Sequence, residues 1–217
     1  MTRKEWRGAI IGMVMGDGSL SKNTSGSRYI MSFSHSHKQL EYLKHKLKIV
    51  NQIFDYDIPI RRQIVKLKGK SYLAFKVATR VHSRFTFIGK NIYIPKKTIT
   101  DFVLENITDE GMAYWYMDDG SLTIPKNRGS KVTLGTYGFS LEGVEKLQKF
   151  ILAKYGVDFN INYHKPSDGH FLVKGYISSL PMLDKLKGYA IPSMMYKFDR
   201  DRIQFPAPRT GDDIVHA

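Results

Sequence analysis

The sequence predicts an α+β protein built from two pseudo-symmetric halves, each running α-β-β-α-β-β-α. Three observations carry this reading. Two apolar runs, Gly8 to Gly18 and Gly111 to Gly120, each end in an acid followed by glycine, and Asp17 and Asp119 lie 102 positions apart. An Ile-Pro step followed by lysine recurs late in each half, with Lys97 and Lys197 standing 80 and 78 positions after those acids. Between acid and lysine the two halves repeat one order of helical and alternating patterns, as an internal duplication would. The halves are expected at 1-100 and 101-217, joined through 98-108, with 206-217 a frayed tail.

Both apolar runs lack proline and read as buried helices, and the glycine after each acid is a natural left-handed C′ residue. Ser19 to Ser27 is polar and glycine-containing and reads as a loop. From Met31 onwards Arg28 to Ser36 alternates, with Met31 and Phe33 on one side and Ser32, Ser34 and Ser36 on the other, which predicts a half-buried strand. Lys38 to Phe54 carries Leu40, Leu43, Leu47, Val50 and Ile53 at helical spacing. Ile60 to Leu67 and Tyr72 to Thr79 form a hairpin around Lys68-Gly69-Lys70. Val81 to Ile88 reads as a short helix.

In the second half Thr108-Asp109-Glu110 supplies an N-cap and first-turn acids. Lys131 to Gly138 reads as a strand, and Leu141 to Tyr155 as a helix striped by Val144, Leu147, Ile151 and Leu152. Asp158 to Lys165 and His170 to Tyr176 are strands around the turn Pro166-Ser167-Asp168-Gly169. Ile177 to Leu186 is the last helix.

Composition narrows the function. No run approaches the 18 or more apolar residues of a membrane span, and the charged start followed by a short apolar stretch does not read as a signal peptide. An intracellular, soluble protein is expected. The absence of cysteine excludes disulfides, Cys-type zinc sites and thiol catalysis. A net charge of +14, spread along the chain, predicts a folded surface that attracts a polyanion.

The acids are oddly placed. A carboxylate at a helix C-terminus faces the negative end of the dipole. One such Asp-Gly is ordinary turn chemistry, but two at matching helix ends imply a compensating cation.

Ile10 to Gly18 and Met112 to Gly120 resemble the nine-residue LAGLIDADG motif of homing endonucleases, with Asp17 and Asp119 on its functional acid. Gly12 and Gly16 match the small residues through which the family's helices pack, whereas Tyr114 and Asp118 depart from them. The Tyr114-Trp115 pair and the double acid Asp118-Asp119 are similar to second copies in single-chain members. The resemblance covers Gly8 to about Lys197.

It implies a monomeric, site-specific endonuclease whose two antiparallel sheets form a saddle along the major groove of double-stranded DNA. It would recognise a long asymmetric target and cut one phosphodiester per strand, leaving short 3′ overhangs. Two adjacent carboxylates need hard cations to remain ionised together, and oxygen ligands point to Mg²⁺. Mn²⁺ would substitute, and Ca²⁺ would support binding without cleavage. Asp17 and Asp119, with Gly16 and Asp118, are the implied metal ligands, and Lys97 and Lys197 the implied catalytic lysines, with Lys96 adjoining. Ser34 and His164 fall at the active-site periphery.

The DNA contacts expected are Arg28, Ser32, His35, Arg61, Arg62, Gln63, Lys66 and Lys76 in the first half, with Thr133, Thr136, Tyr137, Asn160, Asn162, Lys165 and Lys174 in the second. The rival readings are an RNA maturase acting on its host intron and a DNA-binding regulator that cleaves nothing.

Overall fold

The structure, a computed structural model, describes residues 1–67, 69–125, 129–165 and 169–202 of the 217. Lys68, the turn residues 166–168 and the tail 206–217 therefore lie outside the described residues. In chain order the elements are α1 (Arg3–Met15), β1 (Ser19–Lys22), β2 (Tyr29–Ser36), α2 (Leu40–Val50), β3 (Ile60–Leu67), β4 (Lys70–Ala78) and α3 (Ser83–Ile92). After the connecting α4 (Asp101–Asn106) come α5 (Asp109–Asp119), β5 (Gly120–Thr123), β6 (Lys131–Gly135), α6 (Leu141–Tyr155), β7 (Asn160–Asn162), β8 (Phe171–Gly175) and α7 (Tyr176–Lys187). The α-β-β-α-β-β-α order thus occurs twice.

The stretch read as a loop after α1 holds a strand. Ser19 pairs with Ser32 and Leu20 with Met31, and β5 makes the matching pairs Ser121 with Thr133 and Leu122 with Val132. A four-residue edge strand this polar carries almost no periodic signal, so only its partner reveals it. The two sheets share one topology, β1-β2-β4-β3 and β5-β6-β8-β7, all antiparallel. The third helix begins two residues later than expected, at Ser83, because His82 accepts from the Arg84 amide as its cap.

α1 starts at a capping box the sequence reading overlooked, in which Thr2 accepts from the Glu5 amide and Glu5 from the Thr2 amide. α5 is capped by Thr108, as expected. Against expectation, the glycines after the acids are not left-handed: Gly120 has φ −81°, and Gly18 is not among the positive-φ glycines. They are glycine for want of space, since a Cβ would sit 2.5 Å from the Met13 carbonyl oxygen at Gly18 and 2.3 Å from Tyr116 at Gly120.

α1 and α5 pack side by side at the centre of the core, and glycine sets their spacing. A Cβ on Gly12 would lie 1.8 Å from the Gly111 carbonyl oxygen, and one on Gly111 would lie 2.1 Å from that of Gly8. Tyr114, the departure at a small-residue position, points away from this contact, its hydroxyl 2.8 Å from His45 Nε2 and donating to Glu110. No helix among the described residues is long and apolar enough to cross a membrane.

Candidate active site

Close packing of α1 on α5 brings their C-terminal ends together, with Asp17 just beyond α1 and Asp119 closing α5. Each helix end is covered by a lysine. Lys97 Nζ donates to the carbonyls of Val14 (2.9 Å) and Gly16 (2.9 Å). Lys197 Nζ donates to the carbonyls of Met117 and Asp118, the latter at 3.0 Å. The last-turn carbonyls, which carry the negative pole of each helix, thus meet an ammonium group.

Lys97 reaches its place through the bridge between Tyr93 and Lys97, whereas Lys96 is exposed and turned away. Lys197 ends the 3₁₀ turn Pro192–Lys197, whose backbone is tied down by the Tyr116 hydroxyl donating to the Lys197 carbonyl at 2.9 Å.

The carboxylates remain under strain. Burial pushes the Asp119 carboxyl up to about 7, and the negative charges of Asp17 and Asp118 push it the same way. Burial also raises Asp17, with Asp118 adding to it. Lys97 and Lys197 are held below the ordinary lysine range by burial, against the pull of all three acids. Two lysines do not fully offset the acids, and the oxygens on offer are hard ones: the Asp17 and Asp119 carboxylates and the Gly16 and Asp118 carbonyls. This donor set fits a divalent cation of the Mg²⁺ kind.

The Asp118 side chain, which lies close enough to Asp17 and His35 to share a cation with them, is already paired with one of the protein's own. It has no solvent exposure, and its two oxygens accept from Lys46 Nζ at 2.6 and 2.7 Å. Oδ2 also accepts from the Asp17 amide at 3.0 Å, so Asp118 holds the backbone from which Asp17 projects. Gly16 makes room for it, since a Cβ there would lie 2.4 Å from Asp118 Oδ2.

Lys46 was missed. The expected stripe of α2 held Leu43 and Val50 but not Tyr42, Lys46 and Ile49, which are buried beside them. Lys46 is fully buried, 4.4 Å above the Tyr42 ring and 3.1 Å from His35 Nε2. An ammonium has only donors, so His35 Nε2 accepts and its proton sits on Nδ1, facing Asp17 Oδ2 at 3.8 Å. Burial and Lys46 lower His35 to about 4, so it is neutral at physiological pH.

His35 is therefore no DNA contact. It shares the inward face of β2 with Met31 and Phe33, as the alternation itself required. Thr136 is corrected for the same reason, being buried with its hydroxyl donating to the His170 carbonyl.

Register sorts the remaining contacts. Ser32, Ser34, Arg61, Gln63 and Lys76 share the outer face of the first sheet, where Lys76 pairs with both Ser34 and Arg61. Arg62 pairs with Phe75, and Arg62, Lys66 and Lys174 belong to the helix-side parity of their sheets. They are corrected accordingly, because adjacent strand residues cannot share a face. Thr133, Asn160 and Asn162 share the outer face of the second sheet, with Lys131, which the sequence reading passed over. Arg28 is exposed just before β2, and Lys165 is exposed past β7.

Ser34 accepts from Gln63 Nε2 at 2.8 Å. His164 makes no contact with the acids: its exposed ring stacks on Tyr137 and Phe171. Tyr137 in turn lines a hollow of about 260 Å³ with Gly16, Lys97, Asp119 and Phe139.

The profile of the LAGLIDADG DNA endonuclease family matches residues 7–179. The chain belongs to this family. It is 25% identical over 193 residues to the "Probable intron-encoded endonuclease 1" of Wickerhamomyces canadensis, covering 87% of this chain and 81% of that protein. It is 27% identical over 198 residues to the "Cytochrome b mRNA maturase bI2" of Debaryomyces hansenii, covering 89% and 73%. The homing endonuclease I-WcaI, solved bound to its DNA recognition sequence, superposes with a TM-score of 0.78 at 24% identity, covering 90% of this chain and 86% of that one. That likeness shows the LAGLIDADG fold.

Proposed function

We propose that this LAGLIDADG protein is a monomeric, divalent-metal-dependent homing endonuclease that cuts both strands of a long, asymmetric double-stranded DNA site. The observation that carries the reading is the gathering of Asp17 and Asp119 with Lys97 and Lys197, one acid and one lysine from each half, at the adjoining ends of two packed helices. One acid and one lysine per half suit one phosphodiester per strand. The two halves, each with its own sheet, would divide near 98–108 and form a saddle along the major groove.

Asp17 and Asp119, with the carbonyls of Gly16 and Asp118, would hold Mg²⁺, for which Mn²⁺ would substitute while Ca²⁺ supports binding alone. The bound metal supplies charge neutralisation at the scissile phosphate and a more acidic water. The chain's own groups do the rest. Lys97 and Lys197 fix the helix ends and place positive charge beside the acids, where phosphate charge grows. Asp118, neutralised by Lys46, anchors the Asp17 backbone. Arg61, Lys76 and Gln63 on one sheet, and Lys131, Thr133, Asn160 and Asn162 on the other, would meet phosphates and base edges.

The test is cleavage of a plasmid library carrying random inserts of about two DNA turns, run with Mg²⁺ or Ca²⁺, with the ends sequenced. One long consensus cut only with Mg²⁺, leaving short 3′ overhangs, is expected. Retention of one sequence without cutting under any metal would sink the nuclease and favour a regulator. The similarity to a cytochrome b mRNA maturase supports a second reading, action on intron RNA. A splicing assay on the RNA flanking the gene separates the two.

A further inference from the structure

A second basic site lies at the other end of α1. Arg3, Trp6 and Arg7 from its first two turns, with Ser83, Arg84, Phe87 and Ile88 from the start of α3, line a hollow of about 250 Å³. Three arginines line it with no carboxylate among the lining residues, and the Arg84 guanidinium lies over the Trp6 ring at 5.5 Å. None of the three has an ion-pair partner among the described residues, and Arg7 Nε is buried without any hydrogen-bond partner. Like charges gathered in one concavity repel, and an orphaned buried donor is costly, so an anion bound here would relieve both. α3 also opens here without an acid in its first turn, so that beyond the His82 cap nothing offsets the positive end of its dipole.

The chemistry narrows the anion. Planar arginine forks match phosphate oxygens in pairs. Beside them the Phe87 ring is 50% exposed and offers a face on which a base can stack. The hollow is too small for a folded partner and suits a single nucleotide. It cannot hold the duplex at the acids, because α1 rises about 1.5 Å per residue and separates the hollow from Asp17 by most of the helix. It also belongs to the helix layer, not to the outer faces of the sheets.

We propose that Arg3, Arg7, Arg84 and Phe87 bind the phosphate and base of an unpaired nucleotide in a second nucleic-acid strand, independently of the duplex site. This stands whether or not the acids cleave DNA.

Trp6 lies in the lining and Trp115 in the core between the halves, so the two indole N–H resonances report separately, assigned with Trp6→Phe. Inorganic phosphate, a short single-stranded RNA and a short single-stranded DNA would each be titrated into the full protein. Saturable movement of the Trp6 signal by either strand, at constant Trp115 signal, is expected, weakened at least tenfold in Arg7→Gln/Arg84→Gln and unchanged in Arg61→Ala. RNA binding alone would identify the strand as RNA, and equal binding would show that only the unpaired phosphate and base are read. If the double variant folds poorly, exposed Arg3→Gln gives a smaller loss in the same direction. A Trp6 signal moved by phosphate and by neither strand, or strand binding unaffected by the arginine changes, would overturn the proposal.

Discussion

Lys46 and Asp118 form an ion pair with no solvent access to either side chain, bridging α2 of the first half to the motif helix of the second. Such a pair stabilises little by itself, but breaking it leaves a buried charge, at a cost of about 3–5 kcal/mol. Lys46→Met should therefore be much less stable than Lys46→Met/Asp118→Asn, as read by urea denaturation. Equal losses in the two variants would show that the pair is uncoupled.

The approach of the motif helices makes a sharp packing prediction. Gly12→Ala would drive a methyl into the Gly111 carbonyl and should destabilise by at least about 3 kcal/mol, beyond ordinary overpacking, because backbone cannot step aside. Gly188→Ala meets open space at φ −61° and should be neutral or slightly stabilising. Thermal melts of the two variants check both statements.

The pH dependence follows from two groups of opposite sign. Asp119, raised to about 7, contributes stability that is present below its unfolded value and lost as pH rises through 7. His35, lowered to about 4, contributes stability present above its ordinary value and lost as pH falls toward 4. The two contributions oppose each other between about pH 4 and 6.5, so the metal-free protein should show nearly level stability there and lose stability between about pH 6.5 and 8. Because a proton competes with the cation at Asp119, Mg²⁺ should raise the melting temperature more at pH 8 than at pH 6. A larger Mg²⁺ effect at pH 6 would contradict this.

Sheet register separates neighbouring arginines. Arg61→Ala should weaken binding to the selected target by about 1–3 kcal/mol, and Lys76→Ala should lower its salt dependence. Arg62→Ala, on the other face, should change little. Equal losses from Arg61 and Arg62 in fluorescence anisotropy would show the register argument does not govern contact.

Much of this was legible in the sequence because it rests on repetition. Two apolar runs ending in acid and glycine gave the central helices, and two Ile-Pro-lysine stretches gave the lysines that reach those helix ends. What stayed hidden was asymmetric. Leu43, Lys46 and Val50 recur at the same spacing as Val144, Leu147 and Ile151, so a lysine stands where the second half has leucine. Asp118 stands where the first half has Gly16. Each departure looks like surface charge until both are placed in one core, where they neutralise each other. His35 and Thr136 are polar residues that the fold turns inward, and β1 hides in a stretch that reads as a loop because a short polar edge strand has no pattern of its own.

The most direct measurement compares wild type with Asp17→Asn and Asp119→Asn on the selected target, following each DNA strand separately with Mg²⁺ and measuring binding with Ca²⁺. Both variants should bind the target within a few-fold of wild type and lose double-strand cleavage by roughly 10² or more. Either variant cutting both strands at the wild-type rate would contradict the claim that the paired acids are the cleavage centre.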